Sequence, residues 1–178
     1  MRRLAEINRD KLIDVLDERL AFERVSLRLY DAIIARVAHE EPAIRRMLPR
    51  LEDQRAEERE HASWLERQLV RLEADPTRQR RRARVAELET HGLEQVIVTA
   101  DATVGEMMHA LGIAELADEA GWRLLVELAR DAGDLPAVEE LERRRAAEEA
   151  HVGFAQRALR ELARNDVLGV PVTLPNSP

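Results

Sequence analysis

Four stretches of apolar heptad repeats run through this chain, and each is interrupted near its centre by a glutamate. Glu23 breaks the row of Leu16, Tyr30 and Val37, and Glu58 breaks the row of Ile44, Leu51, Leu65 and Leu72. Glu115 breaks the row of Met108, Trp122 and Ala129, and Glu148 stands between Leu141, Ala155 and Leu162. Residues seven apart share one face of a helix, so these rows ask for long amphipathic helices with a carboxylate on each buried face. A fold that buries the apolar rows must therefore bring the four carboxylates together at one depth. Ala, Glu, Leu and Arg dominate the chain, only 3% of it is aromatic, and 7 of 178 residues are glycine, which favours helices over sheets. The length suits one well-buried domain.

Proline, glycine and capping signals set the expected boundaries. Helix A is expected from about Arg9 to His39, with Asn8 as N-cap and "EEP" closing it. Helix B is expected from about Ala43 to Ala74, stopped by Asp75–Pro76. Helix C is expected to start near Thr103, whose "TVGE" has capping-box spacing, and to end near Gly133. Helix D follows "DLP" and is expected to reach about Arg164. Short A–B and C–D connections imply antiparallel hairpins. Residues 77–102 form a long crossover, with one or two helical turns expected at "LEQVIV". The expected fold class is thus all-α: a four-helix bundle of two hairpins over 1–166, with an extended C-terminal tail over 167–178. That tail could dock on a neighbouring subunit or another protein, or be disordered.

Two of the interrupting glutamates carry a histidine three residues on, giving Glu58-x-x-His61 and Glu148-x-x-His151. Glu23 precedes Glu58 as Glu115 precedes Glu148, so hairpin A/B repeats hairpin C/D about a pseudo-two-fold axis. Burying one unpaired carboxylate costs several kcal/mol, and four facing one another repel besides. A domain with ~10 kcal/mol of net stability cannot carry that without compensation. Two divalent cations offset the four negative charges, and each histidine adds a neutral nitrogen. Oxygen and imidazole donors without sulfur suit iron first and manganese next, with zinc or cobalt compatible. The alternative is a metal-free polar layer held by Glu–His and Glu–Arg pairs.

In "AFERVSLRLYDAII", "AEEREHASWLE", "GIAELADEAGW" and "AAEEAHVGF" the chain resembles the ferritin-like di-iron carboxylate superfamily of rubrerythrins and ferritins. The resemblance spans residues 9 to 164. It implies metal ligands Glu23, Glu58, His61, Glu115, Glu148 and His151, with Glu58 and Glu148 between the metals. It also implies oxidoreductase chemistry: oxidation of iron(II) as a ferroxidase, reduction of peroxide, or activation of dioxygen. Three departures stand out. There is no cysteine-rich rubredoxin domain to deliver electrons. Asp118 and Glu119 follow Glu115 and are candidate additional ligands. Arg144 occupies the His151 row one heptad earlier, where it would either pair with a nearby carboxylate or extend its stem to solvent.

Tyr30, Trp64 and Trp122 are expected to pack in the core beside the site, with a hydrogen-bonding or redox role as the alternative. Glu57, Glu60 and Glu149 fall off the buried rows and are expected in solvent. His39, His91 and His109 are expected on the surface, and Met107 and Met108 as core filler rather than haem ligands. The arginine-rich "RQRRRARV" reads as a solvated connection, because it lacks interleaved aromatics for base stacking. A net charge of -7 argues against nucleic acid as a partner, and the absence of cysteine excludes disulfides and thiolate metal sites. No apolar run is long enough for a membrane, and "MRRLAEINRD" lacks a signal-peptide core, so a cytoplasmic protein is expected. Expected partners are metal ions, small oxidants and further copies of the chain, as a dimer or larger. Two other readings remain: a di-iron oxygenase acting on an organic substrate, and a structural bundle with an inert or empty site.

Overall fold

The computed structural model describes residues 1–174, and its regular structure is helical: α1 (Arg2–Val37), α2 (Pro42–Arg45), α3 (Leu48–Arg71), α4 (Arg81–Val98), α5 (Val104–Asp131) and α6 (Leu135–Leu168). α1 packs against α3 and α5 against α6, and the two pairs meet along α1 and α5. Among the described residues no helix is long and apolar enough to cross a membrane.

Local chemistry sets the boundaries. Asn8 leaves the helical region, and its Oδ1 accepts from the Lys11 backbone N–H at 3.1 Å, so it caps the main length of α1. A short helical lead from Arg2 precedes it, which the expected start at Arg9 did not include. Thr103 Oγ1 accepts from Glu106 N at 3.2 Å, and Glu106 Oε2 accepts from Thr103 N at 2.7 Å; the expected capping box opens α5. At the other end Gly133 adopts φ +64°. There Asp134 N donates to Ala129 O and Gly133 N to Arg130 O, both at 2.9 Å, which satisfies carbonyls of the last turn.

Three expectations are corrected. Helix B is not continuous from Ala43: a single turn, α2, precedes α3, because Pro49 has no N–H to give the Arg45 carbonyl. The crossover holds an 18-residue helix from Arg81 rather than one or two turns at "LEQVIV". It packs small side chains, Ala83 and Ala86, against Ala21 and Phe22 of α1. Two arginines at its start pair with α1, Arg80 Nη1 3.2 Å from Asp14 and Arg82 Nη1 3.0 Å from Glu18, while Arg78, Arg81 and Arg84 are exposed, as a solvated connection would have them. Finally, α6 runs past Arg164 to Leu168 and ends at Gly169 with φ +65°, so residues 167 and 168 are helical. The chain beyond folds back on its own bundle. Val172 and Leu174 are buried in the core, and Thr173 Oγ1 donates to Glu161 Oε2 at 2.8 Å. The rest of the expected tail, Pro175 to Pro178, lies outside the described residues.

The apolar residues form two main cores, not one. One contains Val25, Leu29, Ile33, Met47, Leu51, Met107, Met108, Leu111 and Phe154. The other contains Leu12, Leu16, Leu20, Trp64, Leu65, Trp122, Leu125 and Leu141. Each fully buried leucine or isoleucine contributes ~1.5–3 kcal/mol. The four interrupting glutamates fall in sequence between the residues of these two cores on every long helix.

Candidate metal centre

Each long helix of the bundle delivers its glutamate to the same interior point. Glu23, Glu58, Glu115 and Glu148 are all 0% exposed, and His61 and His151 are buried with them. The six side chains form two overlapping sets, Glu23–Glu58–His61–Glu148 and Glu58–Glu115–Glu148–His151, each offering one donor atom per residue with all four atoms within 4.8 Å. Glu58 and Glu148 belong to both. The sets are pseudo-symmetric: each takes a glutamate and a Glu-x-x-His from one hairpin and borrows a third glutamate from the other.

His61 Nδ1 lies 2.6 Å from Glu148 Oε1 and 3.8 Å from Glu23 Oε2. His151 Nδ1 lies 2.8 Å from Glu58 Oε1 and 3.3 Å from both Glu115 Oε2 and Glu148 Oε2. These atoms are close, yet both Nδ1 atoms and every carboxylate oxygen of Glu58, Glu115 and Glu148 lack a directed hydrogen bond. Buried polar atoms left so are rare and costly. Converging oxygen and imidazole donors without partners of their own are what a pair of cations would satisfy, so the residues fit a dinuclear site.

The surroundings hold the donors in place. Trp122 Nε1 donates to Glu23 Oε1 at 2.8 Å, and its ring centroid is 5.3 Å from that of His61. Tyr30 lies edge-on to His151 at 6.4 Å and donates to Gln54 Oε1 at 3.4 Å. Tyr30 and Trp122 each follow their helix's glutamate by seven residues, so the two aromatics are also pseudo-equivalent. Glu57, expected in solvent, has a side chain 42% exposed and also accepts from His151 Nε2 at 2.6 Å. With a cation held at Nδ1, that contact would keep the ring proton on Nε2.

Asp118 is fully buried beside the cluster but stands outside both sets. Its Oδ1 pairs with Arg19 Nη1 at 2.5 Å, and Arg19 is itself only 4% exposed. The guanidinium lies 4.3 Å over the Phe22 ring and occupies the space of a side chain at Gly121, where an added Cβ would sit 2.0 Å from Nη1. Glu119 is turned to Arg123, with both oxygens 2.7 Å from Nη2, so it is not directed at the cluster. Arg144 pairs with Glu60 at 3.1 Å and stacks 4.2 Å over Trp64, one layer farther out. His39, His91 and His109 are exposed, and Met107 and Met108 pack in the core.

No protein-family model matches the sequence, and no curated protein is similar to it. Among solved structures, the crystal structure of a ferritin-like, diiron-carboxylate protein from Bacillus anthracis aligns over 85% of this chain and 96% of that one, with a TM-score of 0.66 and 22% identity. The chain has a ferritin-like fold.

Electrostatics within this ferritin-like bundle show what stands where cations would. Burial, with the charges of Asp118 and Glu58, pushes the Glu23 carboxyl well above its usual range. Burial and the Glu58 charge push Glu115 up to about 8, and burial with the Glu148 charge raises Asp118. Burial opposes the charge on Glu148, but contacts from His151 and His61 outweigh it and hold the carboxyl down at about 2. Burial likewise opposes the His151 cation, and four glutamates around the ring outweigh it, raising its pKa. Metal-free, the cluster is neutralised by protons.

A pH dependence follows. Glu23, Glu115, Asp118 and His151 all bind protons more tightly folded than unfolded, so between pH 4.5 and about 8 the folded chain holds more protons. Their contribution is present at the acidic end and is lost as pH rises through the folded values. Melts of chelator-treated protein should therefore fall in temperature from about pH 5 to about pH 8. A melting temperature that climbs over that range contradicts the electrostatic description.

Proposed function

We propose that the protein holds two metal ions, iron ahead of manganese, and carries out redox chemistry on iron(II), peroxide or dioxygen. The observation that carries the reading is the pair of four-donor sets sharing Glu58 and Glu148. Glu23 and His61 would complete one position, and Glu115 and His151 the other. The name of the Bacillus anthracis protein, a diiron-carboxylate protein, supports iron. Bound iron would supply a couple that exchanges electrons with a small oxidant.

The chain's own residues do the rest. Glu58 and Glu148 would hold both positions at once, the Trp122 N–H fixes one oxygen of Glu23, and Glu57 would hold the ring proton of His151 on Nε2. The two apolar cores exclude bulk water on either side and strengthen the electrostatics between them. Because cations displace the protons described above, uptake should release protons and weaken as pH falls. The oxygenase reading needs an apolar pocket at the donors. A cavity of about 550 Å³ at the end of the bundle is lined by Met1, Ala5, Gln68, Leu72, Pro136 and Glu140 among others, and contains none of the six.

Anaerobic iron(II) titration should saturate at two ions per chain, and air or peroxide should then generate the ferric absorbance. An absent signal in the wild type, or one unchanged by Glu58→Ala combined with Glu148→Ala, would falsify the proposal. Tightly held zinc with no oxidation of added iron(II) supports the inert structural bundle instead.

A further inference from the structure

The chain has two tryptophans, and they touch. Trp122 and Trp64 lie with ring centroids 5.9 Å apart, and Trp122 is 5.3 Å from the His61 ring. Each indole N–H is given to a carboxylate: Trp122 Nε1 to Glu23 Oε1 at 2.8 Å, and Trp64 Nε1 to Glu140 Oε2 at 3.1 Å. The pseudo-symmetric side has no such chain. Phe154 stands three residues after His151, as Trp64 does after His61, and a phenyl ring has no N–H to release. Outward, the path meets open space: Glu140, which accepts the Trp64 N–H, lines the cavity of about 550 Å³ together with Gln68, the charged Arg2 and Arg71, and the apolar Leu72 and Pro136.

An indole loses an electron most readily when an acceptor stands ready for its acidified N–H proton, and Trp64 has one in Glu140. The Arg144 guanidinium 4.2 Å over Trp64 disfavours a positive ring there, so oxidation of Trp64 is tied to proton transfer to Glu140. The 178 residues hold no cysteine and so build no thiolate-held iron centre of their own.

We infer that Trp122 and Trp64 form a one-electron relay between the dinuclear centre and the bundle-end cavity, through which an organic reductant of the hydroquinone class returns the centre to its reduced state. The inference rests on the dinuclear reading above. Trp122 gives one electron to the oxidised centre and keeps its Nε1–H, which stays hydrogen-bonded to Glu23. Trp64 then gives one electron to Trp122, and the Trp64 proton moves to Glu140. A hydroquinone in the cavity gives one electron to Trp64, Glu140 returns the proton, and the resulting semiquinone releases a proton to water. One electron has passed from hydroquinone to centre, and both tryptophans end as they began.

Two measurements test this. In the first, iron-loaded, air-oxidised protein is mixed anaerobically with benzohydroquinone, and loss of ferric absorbance is followed. Trp64→Phe should bind iron as the wild type does but be reduced roughly tenfold or more slowly, because direct contact with the buried centre is denied. In the second, metal-free protein is flash-oxidised with a photoexcited tris(bipyridine)ruthenium complex and persulfate. Wild type and Trp122→Phe should yield a tryptophanyl radical, and Trp64→Phe should yield roughly tenfold less, since Trp122 is 0% exposed. Glu140→Gln, which keeps both rings, should leave the Trp64 radical protonated for longer. Reduction or radical yield in Trp64→Phe at the wild-type level overturns the relay, as does a Glu140→Gln radical that deprotonates at the wild-type rate. A chain that takes up no iron overturns the dinuclear reading by itself, while the radical yields still decide the tryptophan path.

Discussion

Glu148→Gln is expected to abolish tight binding at both metal positions, whereas Glu23→Gln or His61→Ala is expected to spare one. Glu148 belongs to both donor sets, and Glu23 and His61 belong to a single set. Glutamine keeps the shape of the side chain but removes the charge, so the test isolates electrostatics from packing. Losing one shared anionic ligand should weaken each site roughly a thousandfold, about 4 kcal/mol. Calorimetric titration with iron(II) under anaerobic conditions reads the difference directly: no tight equivalent for Glu148→Gln, one for Glu23→Gln. Retention of two tight equivalents by Glu148→Gln means that the shared position is wrong. The same variant should also blunt the pH dependence of the metal-free protein, because one of the carboxylates that raise the His151 pKa is gone.

Arg19→Met is expected to be among the most destabilising substitutions in the metal-free chain. It removes the cation paired with Asp118 at 2.5 Å and leaves that carboxylate 0% exposed next to four glutamates. Breaking a buried pair from one side costs about 3–5 kcal/mol. At roughly 2–4 °C per kcal/mol for a chain of this size, the melt should drop by about 6–20 °C. Adding Asp118→Asn should recover most of that loss, since the buried carboxyl left without its cation, rather than the lost contact, dominates. A double variant no more stable than Arg19→Met points instead to the Phe22 stacking and the Gly121 cleft.

The six clustered residues were legible in the sequence because each breaks an otherwise apolar period, and a period error is visible without coordinates. Arg19 breaks a period too, on the row of Leu12, Ser26 and Ile33, all buried, and Gly121 in mid-helix marks the space it needs. That pairing could have been found from the same rule; two moderate signals on different helices had to be joined. Glu57 was not legible. It lies on the half-exposed face of α3, and only the tertiary placement of His151 gives it a role. The crossover helix α4 was hidden for another reason. It is held by Ala83 and Ala86 and by arginine pairs to α1, so its buried face is built from residues that carry little hydropathy contrast. The segment beyond Gly169 has no period at all, yet two apolar side chains, Val172 and Leu174, are enough to seat it in the open end of one core.

The most direct measurement is the anomalous difference map, at the iron absorption edge, of crystals grown from iron-loaded protein. The account calls for two peaks per chain, one bounded by Glu23, Glu58, His61 and Glu148 and the other by Glu58, Glu115, Glu148 and His151. Peaks confined to surface carboxylates, with the six interior side chains still paired only with one another, would contradict it.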